Sequence, residues 1–241
     1  MKRILLFYAF ILITILILGF WHRYKSPEKF TYYIVNPHKD SLALFWKNDE
    51  GKQIRSFENL SVFTQSKNKK LIFAMNGGIY MKNGTPLGIY INNHTIEHPI
   101  NINKNGEGNF YLQPNGIFYI TNDLSPLICK TENFPDAKNI KYATQSGPLL
   151  LIDSIINPLF NKESCNTNIR NGVGILPNNQ VVFIISNHKV NFYEFAAFFK
   201  SLGCKDALYL DGYVSSIFLP DKGINSTDDN FGVMIGVTKN Q

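Results

Sequence analysis

Cysteine is scarce: three in 241 residues, at positions 129, 165 and 204, with no C-x-x-C pair. A disulfide scaffold is therefore excluded, and the three read as small buried residues. Charge is thin as well, at 17% of residues against 44% hydrophobic, which excludes a disordered, charged tail protein. With 17 glycines and 11 prolines the chain is neither collagen-like nor of low complexity. Standard chemical motifs are missing: there is no G-x-x-x-x-G-K-[ST], no G-x-G-x-x-G, no H-E-x-x-H and no G-x-S-x-G. Of the five histidines, His94 and His98 stand four apart, but Pro99 and the neighbouring asparagines argue against a helix that would pair them on a metal.

Acid is missing from residues 1–25, and that locates the net charge of +6. Lys2, Arg3, Arg23 and Lys25 account for four basic residues there, so the remainder carries 20 basic and 18 acidic residues, a net of +2. A nucleic-acid binder concentrates a basic face, and only Lys67, Lys69 and Lys70 cluster here, as a solvated stretch. No nucleic acid is expected as a partner.

The same segment holds the one long apolar run. Ile4 to Phe20 is 17 residues without a charge. As a helix it would span about 25 Å, a little short of the roughly 30 Å hydrocarbon core. Trp21 and Tyr24 follow it, as interfacial aromatics do. No A-x-A-like cleavage site follows. The expectation is an uncleaved transmembrane signal anchor over 1–25, with 26–241 as one domain outside the cytoplasm, in a periplasm or on a cell surface. A cleaved signal peptide, which would release that domain, is the alternative.

Beyond Ser26 to Lys29 the pattern is strand-like. Tyr32 to Val35 and Leu42 to Trp46 are short β-rich runs separated by Asn36-Pro37. Leu71 to Met75 is a continuous apolar run, as a buried central strand requires, and it leads into Asn76-Gly77-Gly78. Leu87 to Ile91 is another strand. Phe110 to Ile120 reads as a hairpin about Pro114-Asn115-Gly116. Two more hairpins turn at Asp153-Ser154 and at Pro177-Asn178-Asn179. One helix is clear: Asn191 caps it, Phe192, Phe195, Ala196, Phe199 and Leu202 fall at helical spacing, and Gly203 ends it. Ala207 to Leu210 reads as a buried strand ending at Asp211-Gly212, and Phe231 to Val237 as a closing strand. The expected fold class is α+β, a largely antiparallel sheet domain with few helices.

Chemistry has few places to sit. Four turns set polar groups and glycines at the mouths of apolar strands: Asn76-Gly77-Gly78-Ile79-Tyr80, Gln145-Ser146-Gly147-Pro148, Arg170 before Gly172-Val173-Gly174, and Asp211-Gly212-Tyr213-Val214-Ser215-Ser216. Any one of them alone is an ordinary turn. Together they place an amide, a guanidinium and a carboxylate on strand ends, where a rigid scaffold positions polar groups and glycines let a ligand approach backbone N–H groups.

These segments, in this order, resemble the phosphodiester glycosidase family. The family pattern runs from an Asn-Gly-Gly turn through Pro-x-Gly and Gln-x-Gly-Pro to an Arg opening a strand. A helix ending in Leu-Gly-Cys follows, then Leu-Asp-Gly-Gly-Gly-Ser-Ser. Here Asn76-Gly77-Gly78, Pro86-x-Gly88, Gln145-Ser146-Gly147-Pro148, Arg170, Leu202-Gly203-Cys204, Leu210-Asp211-Gly212 and Ser215-Ser216 stand in those places. The pattern's next two glycines are Tyr213 and Val214 here, which implies a changed loop.

The resemblance implies an exported, membrane-tethered hydrolase that cleaves a glycosidic phosphodiester, with a carbohydrate or sugar phosphate as ligand and no cofactor. Phosphate is a weakly basic leaving group, so a paired general acid is less essential than in ordinary glycosidases. Asp211, the only carboxylate of the four turns, is then base, nucleophile or stabiliser of an oxocarbenium charge. Arg170 is expected to hold phosphate through its fork. Asn76 and Gln145 would bond the sugar, with Gly77, Gly78 and Gly147 offering N–H groups. Ser215 and Ser216 would donate to phosphate, while Tyr80 and Tyr213 pack on a sugar face. Ser146 and Gly212 belong to the same substrate-facing turns. No metal-ligand cluster is readable, although Asp211 with nearby carbonyls could hold a cation. The alternatives are a non-catalytic glycan-binding module of a cell envelope, which an added aromatic at Tyr213 would suit, and a structural envelope protein of the same fold.

Overall fold

The computed structural model describes residues 28–211, 214–225 and 230–241. The proposed anchor therefore lies outside the described residues; among those described, no helix is long and apolar enough to cross a membrane. The strands are β1 (Phe30–Val35), β2 (Ser41–Phe45), β3 (Lys69–Asn76), β4 (Tyr90–Asn92), β5 (Thr95–His98), β6 (Gly116–Thr121), β7 (Pro126–Lys130) and β8 (Ile140–Ser146). They continue as β9 (Leu149–Ile152), β10 (Ile155–Ile156), β11 (Asn171–Ile175), β12 (Val181–Ser186), β13 (Ala207–Asp211), β14 (Ile217–Leu219), β15 (Ile224–Asn225) and β16 (Met234–Asn240). Among the described residues, helices α1 (Phe57–Ser66) and α2 (Phe192–Ser201) complete the regular structure, apart from short 3₁₀ turns.

The strands form a six-stranded sheet in the order β1-β12-β11-β13-β9-β10 and two five-stranded sheets, β15-β14-β3-β16-β2 and β5-β4-β8-β6-β7. Every pairing is antiparallel. The α+β expectation therefore holds for the described residues.

One core joins all three sheets. Phe183 of β12 stacks on Phe73 of β3 at 5.3 Å between ring centroids and meets Phe118 of β6 edge-on at 6.1 Å. Val181, Phe183 and Ile185 of β12 face this core, while Val182 and Ile184 face α2. That double burial is why β12 reads as an unbroken apolar run. In β13, Leu208 and Leu210 point to the shared core and Ala207 and Tyr209 to the α2 side.

Helix α2 begins as its sequence requires. Glu194 N donates to Asn191 Oδ1 at 2.9 Å, and Asn191 N donates to Glu194 Oε2 at 3.4 Å, a reciprocal cap. Gly203, with φ +83°, follows its end. The helix lies close on β11 because Gly174 has no side chain: a Cβ there would fall 2.6 Å from Phe199 Cδ1 and 2.9 Å from Cys204 Sγ. Filling such a contact overpacks the core.

Two expectations change, and one helix was not foreseen. Phe110 to Ile120 is not a hairpin. Asn109–Tyr111 is a 3₁₀ turn, Asn115 Nδ2 donates to Phe110 O at 3.3 Å, and Leu149 N donates to Pro114 O at 2.8 Å. The segment is thus tied to β9, and β6 turns into β7 instead, near Asn122-Asp123. Helix α1 was not legible, because only Phe57, Leu60 and Thr64 of its ten residues are buried, which leaves a weak period. Of the cysteines only Cys204 is buried; Cys165 is exposed and Cys129 intermediate, and all three are free.

Candidate active site

The ends of strands from all three sheets meet at one place. β3 ends at Asn76, β13 at Asp211 and β8 at Ser146, and β11 starts at Asn171, directly after Arg170. Asn171 stands opposite Asp211 in the β11–β13 ladder, beside an irregularity in the register. Asn76 comes from a different sheet and links the two. Its Nδ2 donates to Asp211 Oδ2 at 3.3 Å. Its Oδ1 accepts from Asn171 Nδ2 at 2.7 Å and from the Ser216 N–H at 2.9 Å. Asn171 Nδ2 also donates to Asn76 O at 2.9 Å.

This network fixes the orientation of the Asn76 amide, since two donors face its oxygen and a carboxylate faces its nitrogen. Asn76 and Asn171 are fully buried, whereas Asp211 keeps 8% exposure, so the carboxylate is held from below without being sealed. Asn171 Oδ1 has no hydrogen-bond partner although it is buried, a cost that native cores rarely carry away from functional sites.

The loop after β13 and the end of β8 are tied to the same strand end. Ser215 Oγ has one proton to give and two acceptors in reach, Asp211 O at 2.9 Å and Ile169 O at 3.1 Å. Ser146 Oγ donates to Leu210 O at 2.9 Å. Thr144 Oγ1 donates to Gly77 O at 2.9 Å. The adjacent Gly78 has φ +154°, and a Cβ on it would fall 2.7 Å from Thr144 Oγ1. A Cβ on Gly77 would fall 2.7 Å from Ile235 Cγ1. Both glycines are thus accounted for by close backbone packing. Gly147 likewise sits against Asn115, 2.6 Å from its Cβ if a side chain were added. Gly212 and Tyr213 lie outside the described residues.

Gln145 and Arg170 are engaged otherwise than expected. Gln145 Oε1 accepts from the N–H groups of Ile89 and Asn101, both at 3.0 Å. Its Nε2 donates to Asn101 O at 2.7 Å and Thr131 Oγ1 at 3.1 Å. Both donors and both lone-pair directions are taken, so its amide ties loops together rather than presenting itself to a ligand.

Arg170 has 0% exposure. Its Nε donates to Val190 O at 2.9 Å, Nη2 to Asn166 O at 2.9 Å and Oδ1 at 3.1 Å, and Nη1 to the Tyr209 hydroxyl at 3.5 Å. The guanidinium carbon lies 3.8 Å from the centre of the Phe192 ring. Burial pulls its pKa below the ordinary value, opposed by Tyr209.

Tyr209 lies within electrostatic reach of both Asp211 and Arg170, and its hydroxyl accepts from Asn109 Nδ2 at 3.0 Å. Burial, then the charge of Asp211, raises its pKa far above the usual phenol value, against the lowering effect of Arg170. Tyr80 is also within electrostatic reach of Asp211. Its pKa is pushed up to about 12, first by burial and then by Asp211, while Arg55 acts in the opposite sense. Both phenols are therefore protonated donors at neutral pH. Among the described residues no group of three or more His, Cys, Asp or Glu is placed to hold a metal.

The sequence reading missed Asn171, Tyr209 and Arg55. Asn171 was the most legible of them, a polar residue beside Arg170 at the mouth of a strand.

Comparisons with known proteins bear on the whole of this arrangement. A family model described as phosphodiester glycosidase matches residues 69–238. The uncharacterized protein YigE of Escherichia coli (strain K12) is 35% identical over 208 residues, covering 86% of this chain and 81% of that one. Two solved structures share the fold. The catalytic domain of zebrafish N-acetylglucosamine-1-phosphodiester alpha-N-acetylglucosaminidase, auto-inhibited by its pro-peptide, has a TM-score of 0.58 at 13% identity, over 89% of this chain and 85% of that domain. A putative exported protein of Burkholderia pseudomallei has a TM-score of 0.56 at 10% identity, over 86% of this chain and 73% of that one. The match from β3 to β16 takes in Asn76, Gln145, Arg170 and Asp211, and on that ground the chain belongs to the phosphodiester glycosidase family.

Proposed function

We propose that this chain hydrolyses the bond between an anomeric carbon and a phosphate oxygen in a sugar-1-phosphodiester. The observation that carries the reading is the Asp211 carboxylate, held by Asn76 at the junction of the three sheets in a residue that is buried but keeps 8% exposure. Water adds its hydroxyl to the anomeric carbon, the carbon–oxygen bond breaks toward phosphate, and the water's proton ends in bulk or on the departing phosphomonoester. Asp211 either takes that proton or attacks the carbon first. Inversion at the released sugar marks the base, and retention marks the nucleophile. Tyr80, protonated to about pH 12, donates to a phosphate oxygen. The assay is release of free sugar from a panel of sugar-1-phosphodiesters. Release is expected from at least one of them; none from any would sink the reading.

We propose further that the domain lies outside the cytoplasm, with residues 1–25 as its membrane anchor. Lys2 and Arg3 precede the Ile4 to Phe20 run and Arg23 and Lys25 follow it, so charge bias alone does not set the orientation; Lys2 and Arg3 are taken as the inner flank of an N-terminal anchor. A C-terminal reporter active only after export is expected to be active; a stable but inactive fusion would overturn the placement.

A further inference from the structure

A phosphodiester is an anion, and the residue expected to hold it, Arg170, has each guanidinium nitrogen on a protein acceptor and no exposure. A second arginine lies by the site. Arg55 precedes Ser56, the cap of α1, and has a left-handed backbone with φ +71°. Non-glycine residues hold that conformation only where the surroundings enforce it. Here Ile54 N donates to Trp46 O at 2.9 Å and Phe231 N to Arg55 O at 2.7 Å. The Phe231 bond sets Arg55 beside the segment under the first site turn. Gly232 lies against Tyr80, 2.5 Å from its Cβ if a side chain were added, and Val233 O accepts from Gly77 N at 2.8 Å.

The side chain of Arg55 runs over Gly84, in the turn that closes the hairpin carrying Tyr80. A Cβ on Gly84 would fall 2.5 Å from Arg55 Nη1 and 3.0 Å from Cζ. Tyr80 bridges to Pro86 across that hairpin. Arg55 is half-buried, but its Nη1 is buried without a hydrogen-bond partner, as is Gln53 Oε1, which also lies against Gly84, and among the described residues Arg55 is in no salt bridge. A guanidinium nitrogen out of contact with water ordinarily has an acceptor, because a buried donor left unpaired is costly. Electrostatics agree with the geometry, since Tyr80 senses the negative charge of Asp211 and the positive charge of Arg55 together.

We propose that Arg55 is the cation that binds the substrate's phosphate, its guanidinium and the Tyr80 hydroxyl contacting the same anion next to Asp211. The assignment rests on the hydrolase reading above. It lies outside residues 69–238, so it belongs to the part of the chain that the family model does not match. Phosphate selectivity then comes from the β2–α1 connection packed against the turn that carries Tyr80.

The test uses the full chain, with sugar release as one readout and inorganic phosphate as the binding probe. Arg55→Asn removes the guanidinium and keeps a residue that tolerates a left-handed backbone. It is expected to weaken phosphate binding about 10-fold or more and to lower kcat/KM about 10²-fold, mainly through KM, on the scale of a lost charge-assisted contact. Arg55→Lys keeps the charge without the fork and is expected to recover part of both. If the parent releases sugar and Arg55→Asn leaves kcat/KM and phosphate binding within about twofold, the assignment to Arg55 fails while the hydrolase reading stands. If the parent releases no sugar, the hydrolase reading fails, and phosphate binding lost in Arg55→Asn but kept in Arg55→Lys still supports the site. Phosphate binding that is absent from the parent overturns it. Should Asn at position 55 unfold the protein, Arg55→Lys decides: unchanged phosphate binding with unchanged KM counts against a fork.

Discussion

Asp211→Asn is expected to lower turnover of a sugar-1-phosphodiester about 10²-fold or more while the protein stays folded. The substitution keeps the volume and an acceptor for Asn76 Nδ2, which now donates to Asp211 Oδ2 at 3.3 Å. It removes the charge, and with it the capacity to take a proton from water or to attack the anomeric carbon. The network below does not depend on that charge. Asn171 Nδ2 and the Ser216 N–H both bond Asn76 Oδ1, so the floor of the site should persist. A second readout separates lost chemistry from lost structure. Asp211 is one reason why the Tyr80 phenol is pushed up to about 12, so its titration, followed by ultraviolet absorbance, should move back toward 10 in the variant. Full turnover in Asp211→Asn would remove this carboxylate from the mechanism.

Arg170→Met is expected to act on stability first. The sequence reading gives Arg170 a phosphate to hold; the structure surrounds it with Val190 O, Asn166 O and Oδ1, the Tyr209 hydroxyl and the face of Phe192. Methionine fills part of the volume and leaves these buried acceptors without their donor. Each orphaned group costs about 1–3 kcal/mol, and the losses do not add fully because the groups share one cavity. A total near 3 kcal/mol or more corresponds to a fall in Tm of roughly 6–12 °C for a domain of this size. Lysine at this position should recover little, since one ammonium cannot reproduce donors that point in three directions. Thermal unfolding is the measurement. An unchanged Tm together with lost phosphate binding would return Arg170 to the ligand.

The two predictions separate what local sequence can carry from what it cannot. Leu71–Met75 and the β11–β12 segment were legible because an unbroken apolar run has one stable home, a strand covered on both faces. Helix α2 was legible because Asn191, the spacing of Phe192, Phe195 and Phe199, and Gly203 all act within a few residues of one another. The same holds for the turns at Asn76, Ser146 and Asp211, where a change from apolar run to polar-glycine cluster marks a strand end. The motifs in those turns also sufficed to indicate the family.

Roles within the site were decided only by the tertiary structure. Asn76 meets Asp211 because β3 and β13, 135 residues apart at this contact, belong to sheets that share one core. Asn171 becomes part of the site through its place opposite Asp211 in the ladder, a pairing no local pattern encodes. Arg170 and Arg55 show it most plainly. Read as residues they are the same cation, one inside a motif and one outside it. Their difference lies in what distant chain supplies: Val190, Asn166 and Tyr209 complete the first, while Gly84 and Phe231 position the second and leave its Nη1 without a partner. Sequence determined which polar groups stand at strand ends, because turns and periodicity are local. Only the folded chain determined which of them are already satisfied, because a hydrogen bond is spent by whatever group the fold brings within about 3 Å.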